Sequence, residues 1–277
     1  MSDFTYITDN TAPTTPADFA VALSYPSLNR YSNILANDTT RVKLRFDHYI
    51  NANYILNGRM IAAQAPLPNT VEDFLEMLVL NAVPVVVMLT KTEERDVSKA
   101  APYWGYLPEG GRATFGDYTV TTLDTLYPDA YEHSYPHDLQ VRYLRVTRAD
   151  QPPFDFLQVH FLGWPDFGVP ENEQNLVDLV LLQFILTSCA MFAGRTRVVA
   201  HCSAGVGRTG VYAVLERIME VVVFHTLELP EPSTILRLPR ASDPQPGRRS
   251  SASASSRTRS SSSSPTSRRS PRRPSRR

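Results

Sequence analysis

Cysteine is almost missing from this sequence: Cys189 and Cys202 are the two among 277 residues. So few thiols exclude a disulfide framework and read as free side chains of a reducing compartment. The start, MSDFTYITDN, lacks a basic stretch followed by an apolar run, so no secretory signal is expected. Long hydrophobic runs are lacking too. The longest uncharged stretch, Leu179 to Gly194, is interrupted by Gln183, Thr187 and Ser188 and falls short of the roughly 18–20 apolar residues that span a bilayer. It reads as a buried helix, and the chain is expected to be cytoplasmic with no membrane span. The acid-rich clusters and His/Cys spacings of a metal site are also absent from the sequence, so neither a metal nor a cofactor is expected.

What is present is a hydrophobic content of 42%, ample for one large core. The formal net charge of zero hides an asymmetry. Residues 237–277 carry twelve arginines against one acid, Asp243, a net +11, and the remainder carries −11. Residues 248–277 hold only two alanines and no aromatic among Arg, Ser, Thr and Pro, too little apolar surface to offset chain entropy, and read as disordered. Three segments follow: an irregular arm over 1–24, a folded domain over 25–224, and a Pro-spaced linker with the basic tail over 225–277.

Within the domain, VPVVVML from Val83 to Leu89 is a continuous apolar run of strand length, as expected of a strand covered on both faces. Just before it, Thr70 to Ala82 has helical spacing, with Val71, Phe74, Leu75 and Leu78 on one face and a Thr70–Asp73 capping pattern. Further strands are expected at Tyr118–Leu123, Gln140–Thr147, Phe154–Leu162 and Arg197–Ala200, with helices over Glu173–Ala193 and Val211–Val223. The predicted class is α/β: one domain with a central, highly twisted mixed sheet flanked by helices, and a phosphate-binding loop between a strand and a helix.

That loop is HCSAGVGRTG, His201 to Gly210. Ser203, Ala204, Gly205, Val206 and Gly207 are small residues whose backbone N–H groups can converge on one point, a nest for an anion backed by a helix N-terminus. The same field favours a sulfur anion at Cys202, facing the phosphorus of a bound phosphoryl group. Arg208 offers a planar fork for two phosphoryl oxygens, and Thr209 a hydroxyl for the sulfur as it leaves. Phosphoryl transfer through cysteine needs an acid and then a base. GWPDFGVP, Gly163 to Pro170, supplies Asp166 on a segment with glycine at both ends and Trp164 to stiffen its middle, as a lid requires. Cys189 lacks such surroundings and reads as a small hydrophobe.

Together these stretches resemble the cysteine-dependent, tyrosine-specific protein phosphatases. NRYSNIL, RVKL, DHYINANYI, MIAAQAPLPNTVEDFLEML, VVVMLTKTEERDVSKAAPYW, HFLGWPDFGVP and HCSAGVGRTGVYAVLERIME are similar to that family's segments, in its order, across Ser24 to Glu220. The resemblance implies Cys202 as nucleophile beside His201, Tyr31 as a wall that stacks on the phosphotyrosine ring, and Phe167 as its cover. It also implies Asn33 at a substrate-backbone position where some members have aspartate, Glu94 orienting Arg208, and Lys99 steadying the aspartate loop. Phosphotyrosine-containing proteins are the implied partners. After Glu220 the family's water-positioning glutamine loop and closing helix are not recognisable. The expected function is therefore a protein-tyrosine phosphatase acting through a cysteinyl-phosphate, with a catalytically impaired phosphotyrosine-binding module as the alternative. The tail admits two readings: a genuine Arg/Ser segment contacting nucleic acid or acidic surfaces, which adds a nuclear location, or a shifted reading frame or retained intron.

Overall fold

The strand VVVM, Val85–Met88, is buried throughout, and its covering on both faces sets the architecture. A computed structural model describes residues 15–105, 110–126, 138–149, 151–165, 168–170, 172–192 and 194–222. Every described residue lies in one compact unit, Met1–Leu238. Its strands are β1 (Ala52–Ile55), β2 (Met60–Ala63), β3 (Val85–Met88), β4 (Glu93–Glu94), β5 (Val97–Ser98), β6 (Arg112–Phe115), β7 (Tyr118–Leu126), β8 (Leu139–Thr147), β9 (Phe154–Phe161) and β10 (Val198–His201). The helices are α1 (Ala20–Ser24), α2 (Val71–Leu80), α3 (Gln174–Thr187) and α4 (Gly207–Glu220).

Eight strands form one mixed sheet in the order β1-β2-β10-β3-β9-β8-β7-β6, and β4 and β5 make a separate hairpin. The centre, β2-β10-β3-β9, is parallel and the flanks are antiparallel. Alternation along β3 divides the core: Val86 and Met88 pack with Phe74, Leu75 and Leu78 of α2. Val85 and Val87 face the other way, toward Leu179 and Val180 of α3 and Tyr212 of α4. A parallel sheet covered by helices on both sides reads in sequence as an unbroken apolar run, because every side chain is inside.

Several expectations change in detail. Residues 16–24, assigned to the irregular arm, form a 3-10 turn over Pro16–Phe19 and then α1, with Ala22 fully buried. The long helix stops at Thr187 instead of Ala193: Thr187 Oγ1 donates to the carbonyls of Gln183 and Phe184, and Ser188 Oγ to that of Phe184, so side chains compete for the last turn. It is also half-open, with Ile185 60% exposed. Thr70 precedes α2 without a side-chain cap, since its hydroxyl accepts from the Leu67 N–H at 2.8 Å. The final helix begins at Gly207, inside the loop and four residues before Val211. The tail and its predicted disorder lie outside the described residues.

Candidate active site

In a parallel sheet the carboxyl ends of neighbouring strands open to the same side. His201 at the end of β10 stands opposite Ala63 of β2 and Met88 of β3, so the segments after these strands meet there. Ser203 C=O accepts from the Ala65 N–H at 3.0 Å, and His201 C=O from the Leu89 N–H at 2.8 Å. The loop is thus strapped to both neighbours before α4 begins. Gly205 has φ +81°, and a Cβ built there would lie 2.4 Å from the Ala63 carbonyl oxygen. Only glycine accepts that angle and that approach together.

Cys202 is buried at 5% exposure yet lies on the wall of a cleft of about 850 Å³. Its Sγ receives the Gly205 N–H at 3.3 Å, a contact that supports negative charge on sulfur. Arg208 lines the same cleft, and Glu94 grips it end-on, Nη1 to Oε1 and Nη2 to Oε2 both at 2.8 Å. Nη1 also donates to the Leu89 carbonyl at 2.9 Å. A guanidinium fixed at its end by a carboxylate is held in a single plane, which sets the direction of its adjacent Nε–Nη2 edge. Thr209 is fully buried, and its Oγ1 has no hydrogen-bond partner among the described residues.

The cleft also gathers Tyr31, Lys99, Trp164, Ser203, Ala204, Val206 and Gly207. Tyr31 Oη lies 2.9 Å from Ser203 Oγ, which donates to the Lys99 carbonyl. Trp164 Nε1 donates to the Gly168 carbonyl at 3.0 Å, bracketing the segment between them. Asp166 and Phe167, the expected acid and ring cover, lie outside the described residues. Asn33 is exposed and is not among the described residues of the cleft wall. His201 is turned away from the opening: fully buried, its Nε2 meets Tyr103 Oη at 2.9 Å and its Nδ1 the Cys202 carbonyl at 3.1 Å.

Among the described residues no group of three or more His, Cys, Asp or Glu could hold a metal ion, and no helix is long and apolar enough to cross a membrane. Arg59, in the turn before β2, makes ion pairs with both Glu216 and Glu220 and ties the far end of α4 to the sheet.

A family model for protein-tyrosine phosphatases matches residues 25–240, most of the chain. The chain belongs to that family. Receptor-type tyrosine-protein phosphatase eta of Gallus gallus is 35% identical over 204 residues, 70% of this chain but 14% of that relative, so the chain spans about a seventh of its length. The catalytic domain of human protein tyrosine phosphatase non-receptor type 18 has the same fold, with a TM-score of 0.68 and 25% identity over 84% of this chain and 82% of that one. A structure of PTPN18 in complex with HER2 phosphopeptides aligns at a TM-score of 0.65 and 27% identity, covering 79% of each chain.

In this protein-tyrosine phosphatase domain, sequence reasoning missed Leu89, Thr90, Tyr103 and His160 around the site. Leu89 contributes a backbone carbonyl, which no side-chain pattern announces, and Tyr103 is legible only as an aromatic in a family segment. Tyr103 and the Cys202 carbonyl hold the His201 ring in place, and burial depresses its pKa from 6.5 to about 4, the bond to the Cys202 carbonyl opposing. The unfolded chain therefore takes up a proton below pH 6.5 that the folded one refuses until about pH 4. Stability contributed by the neutral ring is complete above pH 6.5 and is lost as the pH falls toward 4, at about 1.4 kcal/mol per pH unit. Urea unfolding of wild type and His201→Gln between pH 7 and pH 4.5 should show the wild type losing ground to the variant at that slope below about pH 6.5. A difference that stays constant with pH would contradict a buried neutral imidazole.

Proposed function

We propose that this chain hydrolyses phosphotyrosine through a cysteinyl-phosphate intermediate. The observation that carries the reading is the pairing, in one open cleft, of a sulfur that receives a backbone N–H with a guanidinium locked by Glu94 and the Leu89 carbonyl. A phosphoryl group seated on the loop between Ser203 and Arg208 places phosphorus in front of Cys202 Sγ. The sulfur attacks, the bond to the tyrosine oxygen breaks, and Asp166 gives that oxygen its proton. Charge on the equatorial oxygens as the phosphoryl group passes is met by Arg208 and the loop amides. Water then attacks the cysteinyl-phosphate and loses a proton to Asp166. Sulfur departs as an anion that Thr209 can receive, its buried hydroxyl having no other partner among the described residues.

The same cleft supports the proposed substrate class. Tyr31 stands at its wall, linked to Ser203 of the loop, and an aromatic wall favours a phosphorylated ring over a short phosphoserine. Proteins carrying phosphotyrosine are the proposed partners, and the complex of PTPN18 with HER2 phosphopeptides supports that class by analogy. Residues 25–224 are proposed as the catalytic domain.

The test is phosphate release by the purified chain from a phosphotyrosine peptide and its phosphoserine counterpart. Sustained release with at least about a hundredfold preference for phosphotyrosine is expected. Asp166→Ala should lower kcat by about 10²–10⁴-fold with KM little changed, the range of a lost general acid. Peptide binding without any release would refute the hydrolase and favour the impaired binding module. A burst of one equivalent that then stops would instead locate the failure in the second step.

A further inference from the structure

Resting on the phosphatase reading, we infer that His160 is a positioning residue for Arg208, acting through the two residues that follow β3. In a strand, successive carbonyls point to opposite neighbours, and this alternation persists past Met88. The Leu89 carbonyl points toward β10 and accepts from Arg208 Nη1 at 2.9 Å. The Thr90 carbonyl points toward β9 and meets His160 Nε2 at 2.8 Å. There β9 is about to end, so an imidazole N–H occupies the place of a ladder amide. Thr90 also donates its hydroxyl to Glu94 Oε1 at 3.3 Å, and Glu94 holds both terminal nitrogens of Arg208. Two of the arginine's supports, the Leu89 carbonyl and Glu94, thus depend on a segment that His160 pins from the far side.

The ring is built to hold one orientation. His160 is 3% exposed and stands opposite Met88 in the register of β9 with β3. Its Nδ1 accepts from Arg142 Nη1 at 3.3 Å, which leaves Nε2 as the protonated nitrogen facing Thr90. Arg142 is itself fixed by Gln158 at 2.8 Å and by Gln140, with its guanidinium 4.5 Å above the Trp104 ring. Trp104 in turn packs against His160, ring centroids 5.8 Å apart. Burial holds the His160 pKa down at about 3, so the ring stays neutral and this hydrogen-bond pattern does not change across the physiological range. His160 is not among the described residues of the cleft wall, and its hydrogen bond to the Thr90 carbonyl is the link that joins it to the supports of Arg208.

Three variants test this: His160→Phe, which keeps bulk and loses the donor; His160→Gln, which restores an N–H donor; and Thr90→Val, which removes only the hydroxyl to Glu94. Turnover of a phosphotyrosine peptide and calorimetric tungstate affinity would be measured on folded protein, with Tm alongside. His160→Phe is expected to lose about 10- to 100-fold in kcat, the scale of a misplaced catalytic group, and to bind tungstate more weakly by a similar factor. His160→Gln should recover most of both, and Thr90→Val should weaken both in the same direction. The proposal is overturned if His160→Phe lowers Tm while folded protein keeps wild-type kcat and tungstate affinity, or if His160→Gln performs no better than His160→Phe. A wild type that binds tungstate without turnover would refute the hydrolase reading alone, because the affinity series would still report on Arg208.

Discussion

Cys202→Ser is expected to stop phosphate release from a phosphotyrosine peptide, a loss of at least about 10⁴-fold, as for removal of other enzymes' nucleophiles. The size of the loss follows from what surrounds the sulfur. A serine nucleophile relies on an adjacent base to take its proton, and the nearest histidine in sequence cannot serve, since both ring nitrogens of His201 are engaged elsewhere and its pKa is near 4. The Gly205 N–H can support an anion at this position, but a serine hydroxyl does not ionise near neutral pH, so the variant keeps the anion site and loses the nucleophile. Tungstate should accordingly bind Cys202→Ser within about threefold of wild type by calorimetry, a shift well under 1 kcal/mol. Serine-variant turnover within tenfold of wild type would remove Cys202 from the mechanism.

Arg208→Lys should cost about 10²–10³-fold in kcat, or 2.7–4 kcal/mol of transition-state stabilisation, the scale for losing one preorganised donor. Charge is retained in this variant, so what it removes is geometry. The guanidinium is gripped at its end at 2.8 Å and 2.8 Å by Glu94 and at 2.9 Å by Leu89, which fixes its plane. An ammonium on a flexible stem has no plane to fix and cannot bridge Glu94 and a phosphoryl group in the same way. Both partners of the pair are nearly buried, 10% and 8% exposed in their side chains. Arg208→Ala should therefore also lower stability by about 3–5 kcal/mol, because it breaks a nearly buried ion pair by removing one member. Arg208→Lys should destabilise less, and comparing Tm of the two variants separates charge from shape. A loss of kcat below tenfold in Arg208→Lys would show that the planar fork is dispensable.

The parts of this fold that could be read in advance are those where one pattern dominates. VPVVVML reads as a buried strand because both faces of β3 are covered, and Val71, Phe74, Leu75 and Leu78 read as one helix face because all four meet one core. Strands β2 and β6 have four residues each, too few for alternation to stand out. The β4–β5 hairpin turns through Arg95 and Asp96 at φ 51° and 61°, a conformation usually marked by Asn-Gly. At the site, Cys202 to Arg208 is legible because its parts are contiguous and each has a chemical reason for its residue type. Glu94 and Lys99 could be singled out only by resemblance, because charges in an ordinary solvated face have the same look. Thr90 and His160 act through a main-chain carbonyl, and hydrogen bonds to main chain leave no periodicity for a reader to find.

The placement of β10 has a consequence for how the chain reaches this state. Val198 pairs with Met60 on one side and Val85 on the other, so the strand that leads into Cys202 is inserted between two strands that precede it by more than a hundred residues. During synthesis β2 and β3 emerge long before their shared neighbour, and the middle of the sheet stays open until β10 leaves the ribosome. Pairings this distant in sequence close slowly. The Cys202 loop is strapped to the segments after β2 and β3, so its shape depends on β10 being seated between those two strands.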